Sequence, residues 1–125
     1  MRLDARGEAR LHGVHRDLVR VVRAALELTT VEFTVTEGLR TLERQRALKA
    51  RGASRTLNSR HLTGHAVDLA AKVDGSVRWD WPLYALLARA MKAGAVREGV
   101  AIVWGGDWKS LRDGPHFELD RKIYP

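Results

Sequence analysis

Apolar and polar residues follow two different periodicities over the first 38 positions. Within residues 8–28, apolar side chains recur every three or four positions and arginines occupy the opposite side, a pattern that predicts one amphipathic helix. Residues 31–38, VEFTVTEG, instead alternate apolar and polar side chains and end at Gly38. This alternation predicts a half-buried strand, with one face on the core and the other in solvent.

The remaining segments predict two further helices and three further strands. The second helix spans TLERQRALKARG, residues 41–52, with Thr41 as its N-cap and Gly52 just past its end. The third spans WPLYALLARAMKAG, residues 81–94, with Pro82 in its first turn. Strands are predicted at HAVDLAAKV (65–73), VAIVW (100–104) and HFEL (116–119), with a loop over 53–64, a hairpin turn at VDGSV (73–77) and a loop at GGDW (105–108). The order α-β-α-β-α-β-β predicts an α+β fold, with helices packed on one small, mainly antiparallel sheet.

Length and composition narrow the class of protein. At 125 residues, with 45% hydrophobic and 30% charged, the chain is expected to form one domain, residues 1–125, around one core. We find no apolar run long enough for a membrane span or a signal peptide, so synthesis in the cytoplasm is expected. The chain has no cysteine, so any metal ion must be bound by histidine, aspartate or glutamate.

The chain is strongly basic, with 22 Lys and Arg residues against 15 Asp and Glu and a formal net charge of +7. Such a charge attracts polyanions, which include nucleic acids, anionic cell-wall polymers and outer-membrane surfaces. The arginines are scattered rather than gathered in a tail, so an ordinary solvated basic surface is the alternative. A nucleic-acid-binding module would also use the four tryptophans, but no helix-turn-helix, RNA-binding-sheet or zinc-finger signature is present.

The segment SRHLTGHAVD, residues 59–68, places two histidines and an aspartate among apolar and small residues. If the chain turns at Gly64 and then enters a strand, His61 on the loop and Asp68 on the strand can converge on one metal ion. His65 is an odd number of positions from Asp68, so on a strand these two side chains point to opposite faces. A helix carrying both histidines conflicts with the intervening LTG. The alternative is a hydrogen-bonded loop histidine beside a structural aspartate.

A third metal ligand is expected from the segment RDGPHFEL, residues 112–119. His116 follows Pro115, whose ring fixes the local backbone, and begins the last predicted strand. Asp113 lies three residues before His116, so a turn over the intervening Gly-Pro can bring its carboxylate beside the metal as a general base. Glu118 shares the strand face of His116 and is the competing base, or else a ligand or salt-bridge partner.

Arg40 stands between the first predicted strand and the second helix, where the helix dipole disfavours a cation. If Arg40 is buried it needs a carboxylate partner or an anionic substrate, and Gln45 lies about one helical turn away. A surface arginine at a helix start is the alternative. His12 and His15 fall in the first predicted helix and are expected to be surface or helix-face residues outside any site.

Taken together, these segments resemble the zinc peptidase family that contains D-alanyl-D-alanine carboxypeptidases and L-alanyl-D-glutamate endopeptidases. The family pattern is Ser-x-His, three residues ending in Gly, then Ala-x-Asp, and later an acid separated from a final His by two residues. It reads here SRHLTGHAVD and DGPH. The resemblance runs from EGLRTLERQ through GASRTLNSRH to WGGDW and PHFEL, nearly the whole chain, and is strongest to small single-domain phage endolysins. It implies the fold shared with the amino-terminal signalling domain of hedgehog proteins.

The same resemblance implies roles for particular residues. The implied ligands of a single Zn²⁺ ion are His61, Asp68 and His116. The other implied site residues are the catalytic base Asp113, the oxyanion-stabilising Arg40, and Gln45, Ser54 and Ser59 on the substrate side. His65 falls at a variable position of the family motif.

The implied activity is direct, metal-assisted hydrolysis of the L-Ala–D-Glu bond in peptidoglycan stem peptides, leading to lysis of the cell wall. The enzyme is expected to be a monomer that acts on the wall after release from the host cytoplasm. Its expected partners are stem peptides and an anionic cell-wall or outer-membrane surface, not nucleic acid. A D-Ala-D-Ala carboxypeptidase on the same scaffold is the alternative, and the intact ligand set argues against a binding module with a degenerate site.

Overall fold

The structure is a computed structural model that describes residues 1–54 and 56–125. Its α-helices are α1 (Ala5–Arg10), α2 (Arg16–Leu28), α3 (Leu42–Ala50) and α4 (Trp81–Glu98). Its strands are β1 (Glu32–Glu37), β2 (Ala66–Val73), β3 (Ser76–Arg78), β4 (Ile102–Trp104) and β5 (His116–Leu119). Two short 3₁₀ helices, Arg60–Thr63 and Gly105–Asp107, lie in segments predicted as loops. No helix in this described part is both long and apolar enough to cross a membrane.

The strands form one antiparallel sheet, which confirms the predicted α+β class. Strands β1, β2, β5 and β4 lie side by side in that order, and β3 pairs with β2 as the second arm of a hairpin. β2 and β5 are neighbours in the sheet although they are far apart in the sequence. Their register sets Asp68 opposite His116, so the topology brings two of the predicted ligands together.

Helices α2 and α4 pack against each other, and their buried side chains join those of the sheet in one hydrophobic cluster. The helices approach closely at Gly94, where an added Cβ would lie 3.1 Å from both the Ala24 Cβ and the Val21 carbonyl oxygen. Phe33 of β1 and Phe117 of β5 contribute large buried side chains from the sheet. The cluster covers one face of the sheet, and Asp68 and His116, which alternate with cluster residues along β2 and β5, project from the other face.

The single helix predicted over residues 8–28 is wrong, because two helices occupy this part of the chain. The break falls at Gly13, whose φ of +85° lies in the left-handed region that favours glycine. α2 then starts afresh, with His15 as its N-cap and the Nδ1 of that ring accepting a 3.0 Å hydrogen bond from the Asp17 amide. Leu28, predicted to be on the buried face, is 43% exposed at the end of α2.

Strand β1 also differs from its prediction, because both of its faces are covered in the middle. Thr34, on the side predicted to face solvent, is only 6% exposed. Its hydroxyl donates a 2.9 Å hydrogen bond to Asp4, and α1 lies so close that a Cβ on Gly7 would meet the Thr34 oxygen at 2.7 Å. The short helix that the periodicity missed is therefore the element that buries this face.

The other predicted elements occur with shifted ends. Thr41 caps α3 as predicted, with its hydroxyl accepting a 3.1 Å hydrogen bond from the Arg44 amide. The VDGSV turn occurs with positive φ at Asp74 and Gly75, as a tight hairpin requires. α4 continues past its predicted end to Glu98 and stops at Gly99.

Candidate active site

His61 is held in the first of the two 3₁₀ helices with its imidazole buried. The Ser59 hydroxyl caps this turn by accepting a 3.2 Å hydrogen bond from the His61 amide. The imidazole is 2% exposed, and its Nδ1 lies 2.9 Å from the Gly38 carbonyl oxygen, a partner that can only accept. Nδ1 therefore carries the proton, and Nε2 keeps a lone pair available to a metal ion.

Asp68 and His116 complete a group of three converging side chains. Asp68 Oδ1 lies 3.2 Å from His61 Nε2 and 3.3 Å from His116 Nδ1. One ligand atom from each residue lies within 4.8 Å of the others. The second nitrogen of His116, Nε2, lies 2.8 Å from Glu118 Oε1, which leaves Nδ1 as the nitrogen facing the centre.

This donor set fits a zinc ion. Two imidazole nitrogens and one carboxylate oxygen are the protein ligands typical of hydrolytic zinc sites, which leave the fourth position open. Each imidazole has its outer nitrogen tied to an acceptor, the Gly38 carbonyl for His61 and Glu118 for His116. Such outer hydrogen bonds fix the ring orientation and the tautomer of metal-binding histidines. The structure thus brings the three predicted ligands together, and their role in binding zinc stays a prediction.

The Asp68 carboxylate and the His116 imidazole at this centre shift each other's pKa. Burial works to raise the pKa of Asp68, but hydrogen bonds with His116 and His61 outweigh it and hold that pKa well below its usual range. Burial works to lower the pKa of His116, but the hydrogen bonds with Asp68 and Glu118 raise it to about 9. An ion that binds here must displace a proton from His116, so its affinity falls as the pH falls.

Asp113 lies beside this centre, on the loop that precedes β5. Its amide donates a 3.0 Å hydrogen bond to the Gly105 carbonyl, and its own carbonyl accepts one of 3.3 Å from the His116 amide. Burial, and next the negative charge of Asp68, raise the pKa of the Asp113 carboxyl above its ordinary value. No residue in the described part of the chain donates a hydrogen bond to this carboxylate. It is free to accept a proton.

Arg40 is buried on the other side of the centre, with a side chain that is 8% exposed. Its Nε and Nη2 donate hydrogen bonds of 2.8 Å each to the two carboxylate oxygens of Glu37. Nη1 donates to Gln45 Oε1 at 2.7 Å, and Nη2 lies 3.9 Å from Asp68 Oδ2. The guanidinium is therefore fixed with one edge toward the predicted metal ligands, as a stabiliser of negative charge requires.

The predicted substrate-side residues separate into two kinds. Ser54 and Ser59 line an open cleft of about 920 Å³ over the centre. Gln45 is 0% exposed and does not line the cleft, so the prediction that it binds substrate is at odds with its position. The Gln45 amide nitrogen instead donates hydrogen bonds to Ser54 Oγ at 2.8 Å and to the Thr56 carbonyl at 2.5 Å. The Gln45 side-chain oxygen accepts a hydrogen bond from Arg40.

The other histidines lie outside the site. His65 Nδ1 lies 2.6 Å from the Thr63 hydroxyl, and its ring is 5.5 Å from the ring of His15. His12 is exposed in the turn between α1 and α2. These placements agree with their exclusion from the ligand set.

Two residues at the cleft were not singled out from the sequence. Glu37 is the carboxylate that a buried Arg40 requires, and its position three residues earlier at the end of a strand was the available signal. Trp108 packs its ring at 5.1 Å from that of His116 and lines the same cleft. Trp108 belongs to the WGGDW segment, but no local pattern in the sequence shows which ring its side chain contacts.

The chain is similar to known proteins in sequence and in fold. The chain matches the family of phage L-alanyl-D-glutamate peptidases over residues 1–124. It is 31% identical to the L-alanyl-D-glutamate peptidase of Escherichia phage T5 over 121 residues, 94% of this chain and 88% of the phage protein. The crystal structure of the Serratia marcescens L-Ala D-Glu endopeptidase ChiX is similar over 100% of this chain and 94% of that chain, with a TM-score of 0.94 and 52% identity. A vancomycin-resistance D,D-dipeptidase, VanXYg, shares the fold over 85% of this chain and 50% of its own, with a TM-score of 0.57 and 20% identity.

Proposed function

This chain belongs to the phage L-alanyl-D-glutamate peptidase family, and on that premise we propose that it is a zinc-dependent endopeptidase of peptidoglycan. Its substrate is the L-Ala–D-Glu bond of stem peptides, and hydrolysis releases the peptide and leads to lysis of the cell wall. The observation that carries this proposal is the convergence of His61, Asp68 and His116 with one available nitrogen on each imidazole. All three residues come from one chain, so we propose that the 125 residues act as one domain and as a monomer.

His61, Asp68 and His116 would hold the zinc ion. When bound, zinc lowers the pKa of a water molecule and polarises the carbonyl that the water attacks. The outer hydrogen bonds from the imidazoles to the Gly38 carbonyl and to Glu118 keep both rings in the orientation that binding needs. Trp108, whose ring lies 5.1 Å from that of His116, packs beside this ligand.

Asp113 is the proposed general base. Its carboxylate accepts a proton from the attacking water and then delivers it to the amine of the leaving D-Glu, so no covalent intermediate forms. The raised pKa of Asp113, caused by burial and by the charge of Asp68, makes the carboxylate a better proton acceptor than an exposed aspartate. The backbone bonds to Gly105 and His116 fix the loop that carries it.

Arg40 is the proposed stabiliser of the tetrahedral oxyanion. Glu37 and Gln45 hold the guanidinium in place before substrate arrives, so little reorganisation is needed during the reaction. Ser54 and Ser59 face the same cleft and are proposed to contact the stem peptide. The exposed basic residues of α3, next to this cleft, are proposed to attract the anionic wall or outer-membrane surface.

The test is digestion of purified muropeptides, followed by mass spectrometry of the new termini. The proposal expects a free amino-terminal D-Glu on the released peptide. Release of terminal D-Ala alone would instead indicate a carboxypeptidase on the same scaffold. Removal of metal with a chelator is expected to abolish cleavage and added Zn²⁺ to restore it. Full activity in a verified metal-free sample would refute zinc dependence.

Substitution of Asp113 by Asn tests the role of the base. The near-isosteric amide cannot accept the proton, so the cleavage rate is expected to fall by roughly 10²–10⁴-fold. Zinc content and thermal stability should remain at the wild-type level because the residue is not a ligand. Asp107→Asn, at an exposed aspartate of the same loop region, is the matched control. Digestion at the wild-type rate by Asp113→Asn would exclude Asp113 as the base.

A further inference from the structure

Glu118 is a buried carboxylate that contacts His116 but takes no part in the proton transfers of the proposed hydrolysis. It lies on β5 two residues after His116, so the two side chains project from the same face of the strand. Both side chains are 9% exposed. A carboxylate with so little access to water requires partners of its own, and those partners indicate its role.

The His116 imidazole presents its two nitrogens to two different carboxylates. Nδ1 faces Asp68 Oδ1 at 3.3 Å, and Nε2 faces Glu118 Oε1 at 2.8 Å. The two nitrogens of an imidazole point in diverging directions, so Glu118 lies on the side of the ring away from Asp68. Glu118 is therefore not placed to be a fourth ligand or the base, the roles that its spacing from His116 had left open.

Arg60 faces the second oxygen of Glu118. Its Nε lies 3.8 Å from Glu118 Oε2 and has no hydrogen-bond partner among the described residues, although the side chain is only 10% exposed. Its Nη2 donates hydrogen bonds of 3.1 Å to the Leu119 carbonyl and 2.7 Å to the Tyr124 carbonyl. The segment that follows β5 thus fixes this guanidinium. Arg60 also immediately precedes His61, so it joins the turn of one predicted ligand to the strand of the other.

We propose that Glu118 and Arg60 form a positioning pair that prepares His116 to bind the metal ion. Glu118 accepts a hydrogen bond from the Nε2–H of His116, which leaves the Nδ1 lone pair directed at the centre, and Arg60 holds Glu118 in that orientation. Arg121 also approaches Glu118 Oε2, at 3.4 Å, but its side chain is 63% exposed and its effect is weakened by solvent. The inference rests on the proposed function only in requiring an ion at His61, Asp68 and His116.

The zinc dissociation constant of purified protein, measured by competition with a chromogenic chelator, tests this pair. Glu118→Ala is expected to weaken zinc binding by about 10–100-fold, the range found for outer hydrogen-bond partners of metal ligands. Glu118→Gln should weaken zinc binding less, because its amide oxygen still accepts a hydrogen bond from the Nε2–H of His116. Arg60→Met should weaken binding less than Glu118→Ala, and Arg60→Lys less again because it keeps the charge.

The double variant Glu118→Ala, Arg60→Met separates a pair from two independent residues. If Arg60 acts through Glu118, the double variant should bind zinc no more weakly than Glu118→Ala alone. Additive losses would overturn the pairing. The matched controls are Glu27→Ala and Arg97→Met, which remove the two halves of an exposed ion pair of 2.6 Å between α2 and α4. Both controls should keep the wild-type dissociation constant.

Two further readouts distinguish positioning from a loss of folding. Thermal unfolding of the metal-free variants reports whether the fold survives. If Glu118→Ala does not fold, the zinc dissociation constant of Glu118→Gln is compared with wild type instead. Nitrogen NMR of zinc-loaded protein is expected to show His116 protonated on Nε2, with that signal broadened or lost in Glu118→Ala. A folded Glu118→Ala that binds zinc like wild type would overturn the pair alone. Wild-type protein that binds no zinc would overturn the proposed function and the pair with it.

Discussion

Arg40 and Glu37 illustrate what burial demands of a single side chain. A guanidinium that is 8% exposed requires an anion, and Glu37 supplies both of its oxygens at 2.8 Å. Burial alone would raise the pKa of Glu37, but the hydrogen bonds and charge of Arg40 outweigh it and hold that pKa below its ordinary value. Glu37 therefore stays ionised at neutral pH, and the orientation of Arg40 is fixed.

Glu37→Gln tests this arrangement at the residue scale. The amide keeps the shape but removes the charge and one acceptor oxygen, so Arg40 is expected to turn away from the predicted ligands. The cleavage rate should fall by up to about 10²–10³-fold, the effect of losing one oxyanion donor. Steady-state hydrolysis of a purified muropeptide measures this effect, with zinc content as a check on the fold.

Glu43→Gln, at an exposed acid of α3, is the control and should retain wild-type activity. A Glu37→Gln enzyme with an unchanged rate would show that Arg40 does not depend on its carboxylate partner.

Among the elements, the 3₁₀ helix at Arg60–Thr63, which carries His61, packs at its end on the turn between α1 and α2. Gly64 ends it with a φ of +74°, and a Cβ on Gly64 would overlap the Gly13 carbonyl. The His15 amide donates a 2.8 Å hydrogen bond to the Gly64 carbonyl at the same contact. The turn that separates α1 from α2 therefore provides the surface on which the segment carrying His61, a predicted metal ligand, packs.

Gly64→Ala compared with Gly52→Ala isolates this contact. Both glycines have φ near +75°, so both variants bear the left-handed penalty of about 1–2 kcal/mol. Only Gly64 also meets a neighbouring backbone, since a Cβ on Gly52 would contact nothing within 4 Å. Urea unfolding should show the larger loss for Gly64→Ala, together with weaker zinc binding. Equal losses in the two variants would contradict a tight contact at Gly64.

The C-terminal segment is fastened to α2 by a hydrogen bond of 2.7 Å from the Tyr124 hydroxyl to Asp17 Oδ2. That hydrogen bond is the largest cause of the lowered pKa of Asp17, burial opposes it, and Arg20 and Arg16 add to it. A carboxyl with a lowered pKa in the folded state contributes stability above its unfolded pKa of about 4 and loses it as the pH falls through the folded value. The segment is therefore held less firmly in acid.

Tyr124→Phe should reveal this contribution in a series of melting temperatures from neutral to acid pH. The variant is expected to melt below wild type at neutral pH, and the gap should narrow below about pH 4 as Asp17 becomes protonated in both proteins. Ile123→Ala, at the exposed neighbouring residue, should not change with pH in this way. A gap that stays constant down to acid pH would indicate packing rather than the hydrogen bond.

Over the whole molecule, the net charge is +7, and some of the exposed basic residues lie beside the cleft. Arg46 and Lys49 are exposed on α3 and Arg51 directly after it. Leu48 of α3 and Gly52, just past its end, line the cleft. Exposed charges act over about 10 Å at 0.1 M salt, so this helix can attract an anionic polymer toward the site. The basic surface is thus expected to assist encounter rather than chemistry.

A double variant Arg46→Gln, Lys49→Gln should bind isolated cell walls more weakly at low salt, and with a shallower dependence on salt, than wild type. Cosedimentation with walls measures this binding, and hydrolysis of a small soluble muropeptide should be unchanged because the catalytic residues are untouched. Arg2→Gln, Arg6→Gln removes the same charge from the N-terminal region as a control. If both double variants lose wall binding equally, net charge rather than α3 determines it.

Periodicity and turn chemistry in the sequence were sufficient to predict most of the helices and strands. The strand at 65–73, the Asp-Gly turn after it and the Thr41 cap each depend on residues within a few positions of one another. The linked motifs also sufficed for the family, which the comparisons confirm, and they named the three residues that the fold brings together. These signals are readable because the chemistry they need is local.

Tertiary structure decided what depends on neighbours from distant segments. Thr34 is buried because α1 and the adjacent Asp4 cover it. Gln45 lies outside the cleft because its side chain is hydrogen-bonded to the loop that contains Ser54 and Thr56. The available nitrogen of His116 is set by Glu118, whose side of the ring follows from the sheet and not from its spacing. Hydrogen-bond direction and burial are properties of three-dimensional neighbours, so the sequence determined which side chains take part and the fold determined what each can do.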